Sequence, residues 1–439
     1  MSVSNPSVDW PALFDEAVET LCRFIRIDTS NPPGRERAAC AFLGEILQRE
    51  GIDYTLHDAG NDRVSLRAVL KGDGSRRPFM LLNHTDVVPA EPEFWDHDPF
   101  GGLIKDDYIW GRGALDMKGL GIAQLMTFLT LKRLGVPLAR DVVFFAQADE
   151  EAGSEYGMRF IVREHPETLD AEYVINEGGG GTTEVFGVER AVYSIGVSEK
   201  GPLWLKLVAE GRPGHGSMPH DDNALDRLVR ALHRIQNWER PLTVPPVLTD
   251  YFARLSRAGI YTGDPTAEGL RVAAATDQRI NAMLSNTISA TTASSGIKHN
   301  VIPARAEATL DIRLLPGVSP EEFQSELEAV IDDSKVRIER VHVRSSDANT
   351  IDTELFHVME EVIHSFIEEA VVVPGMGVGF TDSSELRNRG QISYGFSGGL
   401  NTPEVAMSVH GHNERVSLES FRLNCQMVYE VTRRMCALG

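Results

Sequence analysis

The sequence predicts an α/β protein in which a smaller α+β unit interrupts a larger domain. Three observations support this fold class. Apolar strands alternate with helices in the first part of the chain, the pattern changes near Ser198 to alternating apolar and polar residues, and the first pattern resumes after about Ser346. A length of 439 residues also favours two domains over one compact core. We therefore expect a catalytic domain at residues 1–197 and 347–439, with an insert at residues 198–346.

The larger domain is expected to contain a mixed, largely parallel sheet flanked by helices. Strands that are apolar on both faces are typical of sheets covered by helices on each side. The predicted elements of its first part are helices from Trp10 to about Arg26 and from about Gly119 to Leu134, and strands near residues 64–70, 79–84 and 142–148.

The insert shows the order β-α-β-β-α-β, which can fold as a four-stranded, ferredoxin-like sheet with two helices on one face. Its first strand is GPLWLKLVAEG, its helices are NALDRLVRALHRIQ and SPEEFQSELEAVI, and its last strand is VRIERVHV. Residues 241–287 fit neither a strand nor a helix pattern well, so no structure is predicted for them.

Composition excludes several classes of partner. The formal net charge of -21 repels phosphate backbones and anionic lipid surfaces, so nucleic acid is not expected as a partner. No stretch approaches the roughly 20 apolar residues needed to cross a bilayer. The N-terminal residues mix acids with apolar positions instead of showing a basic region and an apolar run. We therefore expect a cytoplasmic protein without membrane contact.

The four cysteines are scattered and form no CxxC pair, which favours reduced thiols over a zinc ribbon or a disulfide framework. Any metal site must then depend on histidine and carboxylate ligands.

Two candidate ligands lie at the ends of predicted elements in the first part of the chain. His84 ends the strand FMLLNH, and Asp86, two residues later, points to the same side and can reach the far ring nitrogen of His84. Asp116 lies in the glycine-punctuated loop GRGALDMKG before a helix, where a carboxylate can project without steric conflict. Asp116 is therefore a candidate bridging ligand.

Carboxylates also follow two further apolar strands. Glu150 and Glu151 follow VVFFAQA, and Glu177 follows YVIN. The carboxyl ends of strands form the usual ligand-binding edge of an open α/β sheet. Crowded like charges at such an edge are unfavourable unless a cation is near. Near the C-terminus, HGHNE supplies His410 and His412 as alternative imidazole ligands.

Eight segments together resemble the ordered motifs of the dinuclear-zinc metallopeptidase family that includes aminoacylase, glutamate carboxypeptidase, acetylornithine deacetylase and succinyl-diaminopimelate desuccinylase. The match spans nearly the whole chain. The segments are IDTSNPPG, NHTDVVP, GRGALDMKG, DEEAGS, NEGGG, GRPGHGSMP, HNVIP and HGHNE.

The resemblance implies a zinc-peptidase-like catalytic domain with two zinc ions per subunit, for which cobalt or manganese can substitute. It assigns one ion to His84 and Glu177, the other to Glu151 and His410, and both to Asp116. Open sites with nitrogen and oxygen ligands are what catalytic zinc requires.

The same resemblance assigns a role to two residues beside the metals. Glu150 resembles the general base that takes a proton from the attacking water and passes it to the leaving nitrogen. Asp86 is expected to orient His84. The family pattern His-x-x-Asn/Asp-Glu favours His410 as the ligand, with His412 as the alternative.

The insert resembles the lid and dimerisation domain of the family. His215 is similar to a histidine that reaches the active site of the partner subunit and stabilises the oxyanion, which implies a functional homodimer. Asn300 and Arg313 resemble lid residues that bind the substrate, and arginine suits bidentate capture of a carboxylate. Gly398 and Gly399 match a position where backbone amides meet that carboxylate.

The expected substrate is a small molecule with a free carboxylate. Three ligand carboxylates against two zinc ions leave a net charge of about +1, which attracts an anionic group. The predicted reaction is hydrolysis of an amide bond next to that carboxylate, by an N-acyl amino acid deacylase, a carboxypeptidase or a dipeptidase. The segment NEGG favours these over a desuccinylase. The alternatives are an amidohydrolase of carbamoyl or other non-peptide amides and an inactive binding protein on the same fold.

Overall fold

The computed structural model describes residues 8–438. Its α-helices are α1 (Trp10–Ile25), α2 (Glu36–Arg49), α3 (Lys118–Arg133), α4 (Met158–Glu164), α5 (Ala224–Gln236), α6 (Pro246–Arg257), α7 (Ala267–Ala274), α8 (Gln278–Leu284), α9 (Pro320–Ile331), α10 (Glu354–Phe366), α11 (Ser383–Arg387), α12 (Pro403–Ala406) and α13 (Leu418–Cys436). Its strands are β1 (Tyr54–Asp58), β2 (Val64–Leu70), β3 (Phe79–His84), β4 (Leu103–Lys105), β5 (Tyr108–Trp110), β6 (Val142–Gln147), β7 (Tyr173–Asn176), β8 (Gly180–Val185), β9 (Val188–Glu199), β10 (Gly201–Glu210), β11 (Gly214–His215), β12 (Thr287–Ser295), β13 (Val301–Ile302), β14 (Arg305–Leu314), β15 (Val336–Val343), β16 (Val371–Gly377), β17 (Ile392–Gly395), β18 (Leu400–Asn401) and β19 (Arg415–Ser417).

The main sheet has the strand order β1-β2-β6-β3-β7-β17-β9-β8-β18, and β16 pairs with β9. Its central strands β6, β3, β7 and β17 run parallel to their neighbours within this group, whereas β1, β2 and β8 form antiparallel pairs. The predicted mixed, largely parallel sheet is confirmed.

Helices cover both faces of this sheet because its central strands alternate apolar side chains between the faces. Leu81 and Phe144 pack with α3 and α13 on one side. Met80 and Val143 pack with α4 on the other side. The central strands are therefore rigidly held, and so are the residues that follow their carboxyl ends.

A second sheet has the strand order β12-β14-β10-β15, with every pair antiparallel. Helices α5 and α9 cover one face of it, where Leu228 and Phe323 join a core with Leu205 and Leu310. The order of its elements along the chain is β-α-β-β-α-β. Its role as a lid and dimerisation domain, and the boundaries at residues 198 and 346, remain predictions.

Within residues 241–287, for which the sequence pattern predicted no structure, the chain forms helices α6, α7 and α8 before Thr287 begins β12. They do not extend the second sheet. Leu248 and Phe252 of α6 pack instead against Val192 and Val373 of the main sheet. The segment thus returns from the insert to cover strands β9 and β16.

Between residues 8 and 438, no helix combines the length and the apolar character that crossing a bilayer requires. All four cysteines are buried free thiols, as their spacing predicted.

Candidate metal centre

The carboxyl ends of three neighbouring strands bring polar side chains to one edge of the main sheet. Strand β3 ends at His84, β6 ends at Gln147 before a short 3-10 turn at Glu150–Ala152, and β7 ends at Asn176 before Glu177. Strands β6 and β7 both pair in parallel with β3. Because parallel strands end at the same edge, these side chains meet there.

His84 presents one ring nitrogen to two carboxylates. Its Nδ1 donates a hydrogen bond of 2.9 Å to the backbone carbonyl of Asp86. Its Nε2 lies 3.2 Å from Asp116 Oδ1 and 3.5 Å from Glu177 Oε1. Because Nδ1 is engaged with this carbonyl, Nε2 is the ring nitrogen that faces the carboxylates, which is the orientation that a metal-binding histidine needs.

The Asp86 carboxylate holds the loop after β6 more closely than it holds His84. Its Oδ1 accepts from the Glu150 amide and its Oδ2 from the Glu151 amide, both at 3.1 Å. Asn31 Nδ2 also donates to Oδ2 at 2.8 Å. The distance from Oδ1 to His84 Nδ1 is longer, at 3.5 Å. Asp86 therefore orients His84 mainly through its backbone carbonyl and positions Glu150 and Glu151 through its carboxylate.

A second group of ligand-type side chains forms on the other side of Asp116. His410 Nε2 lies 3.0 Å from Asp116 Oδ2 and 3.2 Å from Glu151 Oε2. His412 lies elsewhere, with its ring stacked on Phe94 at a centroid distance of 5.1 Å. The geometry favours His410 over His412 as a metal ligand.

Glu414 fixes the loop that carries Asp116, a role that the sequence motifs did not predict for this residue. The backbone amides of Leu115 and Asp116 donate to Glu414 Oε1 at 2.8 and 3.1 Å, and Arg112 Nη1 donates to Oε2 at 2.7 Å. Glu414 is fully buried. The available signal was that Arg112 of GRGALDMKG and Glu414 of HGHNE carry opposite charges.

Burial and mutual repulsion raise the pKa values of three carboxylates at the edge, Glu150, Glu151 and Glu177. Burial, reinforced by Asp116, raises the pKa of Glu177 to about 8. Burial and the charge of Glu177 raise the pKa of Glu150 well above its ordinary value. Burial would raise the pKa of Asp116 too, but hydrogen bonds from His410 and His84 hold it low. The carboxylates in turn raise the pKa values of His84 and His410. The buried acids still outnumber these two imidazoles, so added positive charge would favour their ionised forms.

Two overlapping sets of side chains are arranged so that each could hold a metal ion, which would supply positive charge. His84, Asp116 and Glu177 form one set, and Asp116, Glu151 and His410 form the other, each with ligand atoms within 4.8 Å of one another. Glu151 Oε1 is buried and has no hydrogen-bond partner among the described residues. A buried carboxylate oxygen without a donor is stabilised by a cation. The two sets contain the residues that the resemblance assigns to two metal ions.

The predicted lid residues lie apart from this edge in the single chain. His215 is exposed, and its Nδ1 accepts hydrogen bonds from the hydroxyl and the amide of Ser217. Its strand β11 pairs with β13, so that Asn300, which precedes β13, lies beside Gly216. Within residues 8–438, no hydrogen bond or ion pair of His215 or Asn300 reaches the carboxylate cluster.

Arg313 is held by two neighbours on its own sheet and by Phe380, which follows β16 of the main sheet. Its guanidinium donates to Asp311 at 2.7 and 3.1 Å and lies over the rings of Trp204 and Phe380.

Gly398 and Gly399 have amides that are engaged inside the chain. The Gly398 amide donates to Asn424 Oδ1 at 3.0 Å, and the Gly399 amide donates to Ser397 Oγ at 3.2 Å. Gly399 nevertheless lines a cavity of about 410 Å³ that also borders Asp116 and Glu177. The structure thus brings Gly399 to the edge of the main sheet that carries the candidate ligands. This edge is named here the metal edge and consists of His84, Asp116, Glu151, Glu177 and His410.

Comparison with known protein families matches residues 80–434 to peptidase family M20/M25/M40. This span contains every candidate ligand. The chain belongs to this family. It is therefore a metal-dependent hydrolase of amide bonds, as the sequence motifs predicted.

Relatives of known name extend the match over almost the whole chain. The N-fatty-acyl-amino acid synthase/hydrolase PM20D1 of Xenopus tropicalis is 30% identical over 438 residues, covering 95% of this chain and 85% of the relative. Aminoacylase-1 of Sus scrofa is 30% identical over 310 residues, covering 70% of this chain and 67% of the relative.

Solved structures of a metallo-carboxypeptidase and a dipeptidase share the fold. A metallo-carboxypeptidase from Sulfolobus solfataricus superposes with a TM-score of 0.74 at 19% identity, covering 95% of this chain and 98% of the other. Human carnosine dipeptidase 1 superposes with a TM-score of 0.65 at 16% identity, covering 97% and 98%. These likenesses confirm the fold class.

Proposed function

We propose that the protein uses two zinc ions to hydrolyse an amide bond next to a free carboxylate, in an N-acyl amino acid or a short peptide. The observation that carries this proposal is the pair of ligand sets joined at Asp116, with the buried Glu150 beside them. Relatives named as an N-fatty-acyl-amino acid synthase/hydrolase and an aminoacylase support the substrate class.

Zinc fits the donor set, because imidazole nitrogens and carboxylate oxygens without thiolates are typical of catalytic zinc. His84 and Glu177 would hold one ion, Glu151 and His410 the other, and Asp116 both. When bound, the ions would polarise the amide carbonyl.

Glu150 is the proposed general base. Its backbone amide is fixed by Asp86, and it directly precedes the ligand Glu151. Burial raises the pKa of Glu150, which makes its carboxylate a stronger proton acceptor. The carboxylate takes a proton from the attacking water and later donates it to the leaving nitrogen.

The lid residues are proposed to complete the site from a second subunit. His215 is exposed, and its Nε2 makes no hydrogen bond among the described residues, so it is free to reach another chain. We propose that it stabilises the oxyanion in a homodimer. Asn300 and Arg313 are proposed to bind the substrate carboxylate, with Arg313 exchanging Asp311 for that group.

Metal removal with matched substrates tests the function. A chelator should abolish hydrolysis of N-acetyl amino acids and dipeptides, and zinc, cobalt or manganese should restore it. The control substrates are the same compounds with the carboxylate capped as an amide, which should react at least about tenfold more slowly because a charged hydrogen bond to the carboxylate is lost. Activity that survives chelation, or equal rates on the capped compounds, would overturn the proposal.

A further inference from the structure

The loop between β16 and α11, residues 378–382, contacts two places where the chain crosses between the main sheet and the second sheet. We name it the Thr381 loop. Strand β9 runs into β10 at Glu199, and the chain leaves the second sheet at Arg344, directly after β15. The Thr381 amide and hydroxyl donate to the Glu199 carboxylate at 3.1 and 2.9 Å. The Thr381 carbonyl accepts from Arg344 Nη1 at 2.9 Å.

The end of the Thr381 loop and the first residue of α11 also contact the segments that follow β6 and end β7. Ser154, in the segment after β6, donates from its Oγ to Asp382 Oδ1. Asn176, the last residue of β7, donates from its Nδ2 to Ser383 Oγ at 3.0 Å. These two segments carry candidate ligands of the metal edge. Residues 381–383 therefore connect the metal edge to both crossings.

Arg344 makes the most direct of these connections. Its Nη2 donates to the Gly153 carbonyl at 3.1 Å. Gly153 closes the 3-10 turn at Glu150–Ala152, because its amide donates to the Glu150 carbonyl at 3.0 Å. The Arg344 side chain is 1% exposed. Its planar guanidinium thus holds the carbonyls of Thr381 and Gly153 at a fixed separation, with one nitrogen on each.

The charge of Arg344 is balanced by acids on the other side of the guanidinium. Asp382 Oδ1 lies 3.7 Å from Nη1 and Glu385 Oε1 lies 3.4 Å from Nε. The ring of Phe380 lies between two guanidinium groups, with its centroid 5.1 Å from Arg344 Cζ and 5.2 Å from Arg313 Cζ. Burying an ion pair contributes little net stability, because desolvation offsets the attraction. The geometry that Arg344 fixes is therefore a better explanation of the buried charge than stability.

We propose that Arg344 is a positioning residue for the general base, and that it holds the turn of Glu150 and Glu151 at a fixed place relative to β15 of the insert. This inference rests on the proposed function, because that function makes Glu150 the base. No hydrogen bond of Arg344 to a described residue reaches a candidate ligand. Its effect on Glu150 passes through the Gly153 carbonyl.

Steady-state kinetics of Arg344→Met test the proposal, since methionine is of similar length and donates no hydrogen bond. We expect kcat for an N-acetyl amino acid to fall about 10- to 100-fold, because a small displacement of a catalytic group lowers the rate this much. KM should stay within about threefold and the metal content should not change, because Arg313 and all candidate ligands are retained. Arg344→Lys keeps the charge and should recover part of the loss.

Arg140→Met is the matched control for the loss of a buried arginine. Arg140 is fully buried, pairs with Glu172 at 3.0 Å and lies over the ring of Tyr173. It precedes β6 at the opposite edge of the main sheet from the metal edge. Its removal should lower stability but leave kcat of the folded protein within about twofold. Equal kcat losses in the Arg140 and Arg344 variants would overturn the proposal.

Hydrogen exchange of the metal-loaded protein without substrate reports on the turn itself. The amides of residues 150–154 should exchange at least about tenfold faster in Arg344→Met, because a hydrogen bond from a charged donor is lost. They should exchange at the wild-type rate in Arg140→Met. If Arg344→Met does not fold, Arg344→Lys replaces it, with at least about threefold changes expected in exchange and in kcat because an ammonium lacks the planar two-nitrogen geometry.

The results distinguish this proposal from the proposed function. If the metal-loaded wild type is active but the Arg344 variant keeps its kcat or its slow exchange, the function stands and the positioning role is wrong. If the metal-loaded wild type hydrolyses no amide with a free carboxylate, the proposed function itself is wrong, whatever the exchange rates are.

Discussion

The side chains of the metal edge and those of the inserted unit differ in how many contacts hold them within one chain. At the metal edge, His84, Asp116 and Glu151 belong to a buried, hydrogen-bonded cluster that one chain completes. In the insert, His215 is exposed and bonded only to Ser217 among the described contacts of its side chain.

This difference fits the proposal that the metal edge binds metal and activates water, whereas the insert contacts the substrate. Metal binding and water activation need ligands fixed before the substrate arrives, since misplacement of a ligand lowers affinity and rate. Contacts to the oxyanion and to the substrate carboxylate are needed only when a substrate is present. The residues proposed to make these contacts can therefore bind local partners, or stay exposed, until the substrate and a second subunit are in place. Losses at the metal edge should therefore be larger and less reversible than losses in the insert.

Glu150→Gln should have the largest effect on rate among variants that keep the metals. Removing a general base lowers kcat by about 100- to 10,000-fold, while the metal content should stay at the wild-type level because Glu150 is outside both ligand sets. The matched control is Glu155→Gln, an exposed acid of the same loop that pairs with Arg163. A loss below tenfold in kcat would remove Glu150 from the mechanism.

His215→Ala should lower kcat about 100- to 1,000-fold, the range for loss of one oxyanion donor. Mixing it with the Glu150→Gln variant distinguishes the two regions. If His215 acts across subunits, mixed dimers contain one intact site, and roughly a quarter of wild-type activity should return at random pairing.

The control for this mixing experiment is His233→Ala, an exposed histidine on α5, which should keep wild-type activity. No recovery on mixing, with both variants shown to be dimeric, would mean that His215 acts within its own chain or has no catalytic role.

Glu414→Gln should lower metal affinity about 10- to 100-fold, because the Asp116 loop loses its anchor. It leaves the buried Arg112 without its ion pair, so the free energy of unfolding should fall by about 3–5 kcal/mol. Calorimetric metal titration and denaturant unfolding measure the two effects. Glu404→Gln, on an exposed acid paired with Arg415, is the control and should change neither quantity measurably. Equal effects of the two variants would contradict the anchoring role.

His412→Ala should have the smallest effect. Its ring is stacked on Phe94 at the surface, outside both ligand sets. We expect kcat/KM within about twofold of the wild type, since an exposed aromatic contact contributes little. A loss comparable to that of His410→Ala, measured in the same steady-state assay, would contradict the assignment of the ligand to His410.

The sequence predicted which candidate ligands the structure brings together, because strand ends are local features. An apolar run followed by an acid or a histidine places that group at the carboxyl edge, as at His84, Glu151 and Glu177. The roles of Asp86 and Glu414 were less predictable, because both depend on backbone amides of distant segments, Glu150–Glu151 and Leu115–Asp116, and such contacts leave no pattern in the chain.

The helices at residues 246–284 show a different limit. Leu248, Phe252 and Leu255 are spaced as one face of a helix, so the signal existed. The sequence did not show which surface this apolar face covers, because the strands it packs against, β9 and β16 of the main sheet, are far away in sequence. The helical pattern of this segment is weak alone, and packing against the main sheet stabilises the helix.

Metal content per chain tests the central claim most directly, because Asp116 is proposed to serve both ions. Mass-spectrometric metal analysis of zinc-loaded protein should give about two ions in the wild type and in His412→Ala, about one in His84→Ala, and close to none in Asp116→Ala. Circular dichroism should confirm that each variant is folded. If folded Asp116→Ala retained two ions, or the wild type bound fewer than one, the shared dinuclear centre would be contradicted.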